Sequence, residues 1–123
     1  MTTTKTVELT TETLERFIGG QLEIQNQIAR YVFRGEIKSI SLEGDVVKVT
    51  FSWLAESKEG YPPLHWVKSN MLEYRANTSI YRANEIDDGR VAMSSPVTGE
   101  VVIFFPPDGS KLDPKKVEGL TIT

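Results

Sequence analysis

The chain reads as a mostly β protein: a small antiparallel β-barrel with one short N-terminal α-helix and a C-terminal β extension. Three observations predict this. Apolar and polar residues alternate with a period of two in several stretches, an apolar stripe at helical spacing occurs near the start, and Gly, Pro, Asn and Asp punctuate the intervals. A single domain is expected, since 123 residues, 39% hydrophobic and 25% charged, supply one core and a solvated surface. Residues 1–9 are Thr-rich and read as a flexible N-terminus, which leaves 10–123 for the domain.

The helix comes first. Thr10 or Thr11 can cap it, Glu12 and Glu15 suit the positive end of its dipole, and Gly19-Gly20 end it. Leu14, Phe17 and Ile18 form its apolar stripe, read as a lid on one end of a barrel. Beyond the glycines, Leu22 and Ile24 alternate with Gln21, Glu23 and Gln25 as a strand with one wet face. Residues 31–42 read as a longer strand whose inward register changes near Gly35, as at a bulge or bend.

Glu43-Gly44-Asp45 turns the chain into the clearest hairpin. Val47, Val49, Phe51 and Trp53 are expected on one face, with Lys48, Thr50 and Ser52 on the other. Residues 55–63 form a charged loop ending in Pro62-Pro63, which cannot sit in a central strand. Further strands are expected in 64–74, 78–85, 90–94 and 99–105, with Asp87-Asp88-Gly89 as a hairpin turn and Pro106-Pro107-Asp108-Gly109 opening the tail. Tyr-Arg-Ala-Asn occurs at 74–77 and again at 81–84, but a spacing of seven changes face in a straight strand, so no structural repeat follows.

Several chemistries are excluded. Without cysteine there are no disulfides, thiolate metal sites or cysteine nucleophiles, and a reducing compartment is suited. No apolar run approaches the roughly 18 residues of a bilayer span, and Met1 is followed by a polar stretch, so a cytoplasmic protein is expected. A formal charge of −3 gives no global attraction to phosphate backbones. One histidine, His65, cannot build a multi-histidine metal site, and Gly19-Gly20 follows a helix where a phosphate loop would open one. No cofactor, metal site or catalytic residue is therefore expected.

A helix, Gly-Gly, a short strand, then Phe33-Arg34-Gly35-Glu36-Ile37-Lys38-Ser39-Ile40 and an alternating hairpin resembles the first motif of Sm-like proteins. Tyr74-Arg75-Ala76-Asn77-Thr78-Ser79-Ile80 is similar to a loose form of that family's second motif. The resemblance spans residues 10–82 and implies a small SH3-like barrel that forms rings and binds single-stranded RNA. Two departures weigh against the RNA part: Ser41 to Val46 lacks the aspartate and asparagine of the family's RNA-contacting loop, and Ala76 replaces a glycine. Ser95 to Val102 resembles a strand and turn of biotinyl and lipoyl carrier domains but lacks their modified lysine, and reads as an ordinary hairpin.

The candidate binding residues are Tyr61, His65, Trp66, Lys68, Tyr74, Arg75, Asn77, Tyr81 and Arg82, since aromatics beside cations suit a protein hot spot or a stacking surface. The reading that follows is a non-enzymatic binding or assembly module. It contacts a protein partner or a second copy of itself, with a homo-oligomer expected, through strand edges and this aromatic and basic surface. Sm-like RNA binding and a hydrolase centred on His65 are the alternatives.

Overall fold

The alternation of residues 31–53 becomes two long strands, and the places where they fall out of step shape the rest of the molecule. The structure, a computed structural model, describes residues 5–26, 28–57, 65–86 and 89–120. In chain order these form β1 (Lys5–Thr6), α1 (Thr11–Glu15), β2 (Gln21–Asn26), β3 (Tyr31–Glu43), β4 (Val46–Ser57), β5 (Trp66–Lys68), β6 (Glu73–Asn77), β7 (Arg82–Glu85), β8 (Val91–Ser94), β9 (Glu100–Phe105) and β10 (Val117–Glu118). Tyr61, the Pro62-Pro63 pair and the Asp87-Asp88 turn lie outside the described residues.

The expected closed barrel gives way to an open, mixed sheet. Its order is β1-β7-β8-β9-β2-β3-β4-β5-β10, with β6 also on β4, and among the described residues no pairing joins its ends. The β10–β5 pair is parallel, so the sheet is not purely antiparallel. Nor is the C-terminal third an extension: β9 pairs with β2 along all six residues and lies near the middle of the sheet. That insertion separates β7 and β1 from the β2–β4 meander, leaving ends where a smaller barrel would close. The segment read as a flexible terminus contributes β1, paired with β7, and Leu9, packed on the core.

The sheet curls around one core because β3 and β4 are bulged. Glu36 faces Trp53, but Ile37 faces Phe51 and Ser39 faces Thr50, so Ser52 and then Lys38 are left without partners. An unpaired residue bends a strand and reverses its side-chain parity. Val47, Val49, Phe51 and Leu54 accordingly reach the main core, while Trp53 and Ala55 turn to the opposite face. Trp53 thus leaves the face that simple alternation predicts. The register change expected near Gly35 falls at Glu36 to Ser39, and Gly35 permits the close approach: a Cβ there would sit 2.6 Å from the Trp53 carbonyl oxygen.

Helix α1 closes one end of the curl. Thr10 and Thr13 form a reciprocal capping box, and Leu14 and Phe17 are buried, with the Phe17 ring 5.5 Å from that of Phe104. The helix is shorter than its stripe suggests: it stops at Glu15, and Ile18 is exposed. Ile37 and the glycines then exchange backbone bonds, Gly19 N–H donating to Ile37 and Ile37 N–H to Gly20. Gly20 lies so close to β9 that a Cβ would overlap the Phe105 carbonyl.

The other face of the sheet is covered by the tail. Trp53, Ala55 and Val117 make a second apolar cluster with Trp66, Leu112 and Leu120. Beside it a buried polar group ties the tail down. Arg34 donates from Nε to Gln21 Oε1 at 2.8 Å, from Nη1 to Glu23 at 3.3 Å and from Nη2 to the Ser110 carbonyl at 2.7 Å, while lying 3.8 Å over the Phe105 ring. Gln21 in turn exchanges two bonds with the Leu112 backbone. Burial lowers the Arg34 pKa and the Glu23 carboxylate opposes that shift.

Candidate functional site

The residues singled out from the sequence fall into four separate places. His65, Trp66 and Lys68 sit at β5, beside the short β10. His65 is exposed, its Nε2 2.8 Å from Glu118, and Trp66 is partly covered by the second apolar cluster. Arg82 lies at the rim of an open depression of about 380 Å³ lined also by Ser94, Ser95, Pro96, Gly99 and Val101. The third and fourth places are the two faces of β6.

Inward from β6, Tyr74 packs against the core and joins a cluster the sequence did not disclose. Tyr31 at the start of β3, Tyr74 and Tyr81 all donate to the carboxylate of Glu100: Tyr31 to Oε2 at 2.8 Å, Tyr81 to Oε1 at 2.7 Å, and Tyr74 also to Oε1. Strand parity explains the convergence. Glu100 shares its face of β9 with Val102 and Phe104, both fully buried, so its side chain points into the curl at the end opposite α1. All three phenol pKa values are raised, by burial first and with Glu100 disfavouring a phenolate. Phenols held protonated act as donors rather than bases or nucleophiles. The chemistry of the cluster is that of a polar latch across the mouth of the core.

Outward from β6 the residues are exposed and charged. Arg75 Nε donates to Glu73 at 2.7 Å, and Lys48 from the neighbouring β4 lies 3.6 Å from the same carboxylate. The Arg75 bond holds the Glu73 carboxyl below its ordinary range, and Glu73 raises Arg75. Asn77 accepts from the Ser79 backbone and so starts the 3-10 turn over Thr78–Ile80, which occupies the beginning of the strand expected at 78–85.

Compared with protein-family models, curated proteins and solved structures, the chain finds no match. Function is therefore argued from geometry alone.

Two features stand out on that basis. Among the described residues, no group of three His, Asp or Glu side chains is placed to hold a metal ion, and Glu100 is engaged by three phenols. The other feature is the edge of β6. It pairs with β4 on one side and with no described strand on the other. The remaining free ends of the sheet, β1 and β10, are two residues each. Around β6, Met71, Leu72 and Ile80 are 38%, 52% and 40% exposed, and Val46 is exposed on the adjoining strand. Met71 and Leu72 fall inside the strand expected at 64–74, which the structure instead breaks into β5 and β6, leaving both residues in the connection between them.

Proposed function

We propose that the protein is a non-enzymatic assembly module that binds a second copy of its own chain through the free edge of β6. One observation carries this: β6 is a five-residue strand with one edge that no described strand pairs, flanked by exposed Met71, Leu72 and Ile80. An unpaired edge offers a row of backbone donors and acceptors to another strand, and exposed apolar residues beside it add buried area on association. A chain without cysteine suits a reducing compartment, and we place it in the cytoplasm.

The aromatic and basic surface enters this reading in reduced form. Tyr74 and Tyr81 face Glu100 and do not present their rings as a stacking platform, so β6 contributes through its edge and through Glu73 and Arg75. The same geometry counts against single-stranded RNA as the ligand: Lys48 and Arg75 share Glu73, Arg16 lies 3.9 Å from Glu85 and Arg34 is buried with Glu23. Light scattering over a rising concentration series tests the proposal. The weight-average mass should climb from 13.8 kDa toward twice that value; a constant monomer mass at millimolar protein overturns it.

A further inference from the structure

The geometry points to one specific pairing: the β6 strands of two copies lie antiparallel across a two-fold axis at Tyr74, with Glu73 of each copy opposite Arg75 of the other. The inference rests on the assembly reading above and adds the strand, the register and the symmetry.

Two backbone bonds bracket β6 and fix which of its groups are free. Phe51 N–H donates to the Leu72 carbonyl at 3.0 Å, and Thr78 N–H donates to the Asp45 carbonyl at 2.6 Å. Opposed residues in an antiparallel ladder alternate between pairs that exchange bonds and pairs that do not. Leu72, Tyr74, Ala76 and Thr78 therefore aim their backbone groups at β4. Glu73, Arg75 and Asn77 aim theirs away from it, and these form the unpaired row.

A second copy that pairs with this row about a two-fold axis must join outward residues to outward residues, with residue i opposite j and j opposite i. Centring the axis on Glu73 sets two carboxylates opposite each other, and centring it on Arg75 sets two guanidiniums opposite each other. Centring it on Ala76 pairs Arg75 with Asn77 and carries Glu73 beyond Asn77 into the 3-10 turn. With the axis at Tyr74, the bonded pairs are Glu73 with Arg75 and Arg75 with Glu73. Opposite charges then face each other twice, which is the favourable cross-strand arrangement.

The side chains agree with that register. Glu73 and Arg75 are on the solvent face of β6, 42% and 65% exposed at the side chain, and the pairing exchanges their contact within one copy for contacts between copies. Lys48 stays beside Glu73 when Arg75 contacts the second copy. Leu72, the most exposed of the apolar residues flanking β6, comes opposite the small Ala76 of the second copy.

The register is tested by charge reversal and mixing, read by sedimentation or light scattering, with far-UV circular dichroism and urea midpoints to confirm that each variant folds. Glu73→Arg alone places two arginines opposite each other at both pairs, and Arg75→Glu alone places two glutamates there. Each single variant should dimerise on the order of tenfold or more weakly than the parent chain. An equimolar mixture restores opposite charges at both pairs, so it should form a heterodimer at a concentration where neither variant dimerises alone. A parent chain that stays monomeric overturns both the assembly reading and this register. A parent dimer whose association is unchanged in both single variants, or a mixture that fails to associate, overturns the register and leaves the assembly reading standing.

Discussion

Replacing Arg34 by alanine tests what holds the tail to the sheet. Arg34 and Glu23 face each other on neighbouring strands, 9% and 11% exposed at their side chains, with a 3.3 Å contact between them. Truncating the arginine leaves a carboxylate buried without its cation and removes the donors to Gln21 and to the Ser110 carbonyl. Breaking a buried pair from one side costs about 3–5 kcal/mol, against a total of roughly 5–15 kcal/mol for an ordinary domain. With a urea dependence of about 2 kcal/mol per molar, the midpoint should fall by on the order of 2 M. Urea titration followed by tryptophan fluorescence reads this directly, because Trp53 and Trp66 belong to the cluster beneath the tail. The double variant Arg34→Met with Glu23→Gln removes both charges together and should recover most of the loss. A single-variant cost below about 1 kcal/mol, or a double variant as unstable as the single one, would refute the assignment of Arg34 as the anchor.

Other consequences follow from the same geometry. Three of the four tyrosines bond to Glu100, and burial raises their pKa values above the unfolded value near 10. Their contribution to stability is complete below that value and is lost as pH rises through the folded values, so three tyrosines should resist ionisation in an ultraviolet titration until the chain unfolds. A titration in which all four ionise together near pH 10 without unfolding would contradict the latch. Gly20→Ala places a methyl group against the Phe105 carbonyl; it should cost several kcal/mol or abolish folding, on the order of the larger overpacking effects, and a urea midpoint within error of the parent would show that the close approach is not required. Single-stranded RNA at low salt should give no salt-sensitive binding, and a complex weakened by Arg75→Ala together with Arg82→Ala would favour the RNA reading instead.

The parts of the fold written in local pattern were legible. The Thr10 cap and the Glu43-Gly44-Asp45 turn each depend on a few adjacent residues, and both fall where expected, whereas the helix ends at Glu15, short of the Gly19-Gly20 stop. The bend after Gly35 was legible as a change of inward register. Its counterpart in β4 was not, because Val47, Val49, Phe51 and Trp53 alternate without a break and the bulge at Ser52 arises only from pairing with β3. Long-range pairing hid the rest. Nothing near residues 100–105 announces that they lie beside residues 21–26, so β9 read as an extension. Glu100 carried a usable signal, a carboxylate in step with Val102 and Phe104, but its three phenol donors come from distant parts of the chain. The free edge of β6 belongs to the same class, since an edge is defined by the strands that are not beside it.

Hydrogen exchange at the β6 amides measures that edge most directly. The Glu73 and Arg75 N–H groups point away from β4, so in the monomer no described strand takes them, and in the proposed dimer each is bonded to the other copy. Their exchange should slow progressively as protein concentration rises, while the exchange of β2 and β9 amides in the centre of the sheet stays constant. Exchange at Glu73 and Arg75 that remains fast and independent of concentration, up to the millimolar range, would contradict assembly through β6.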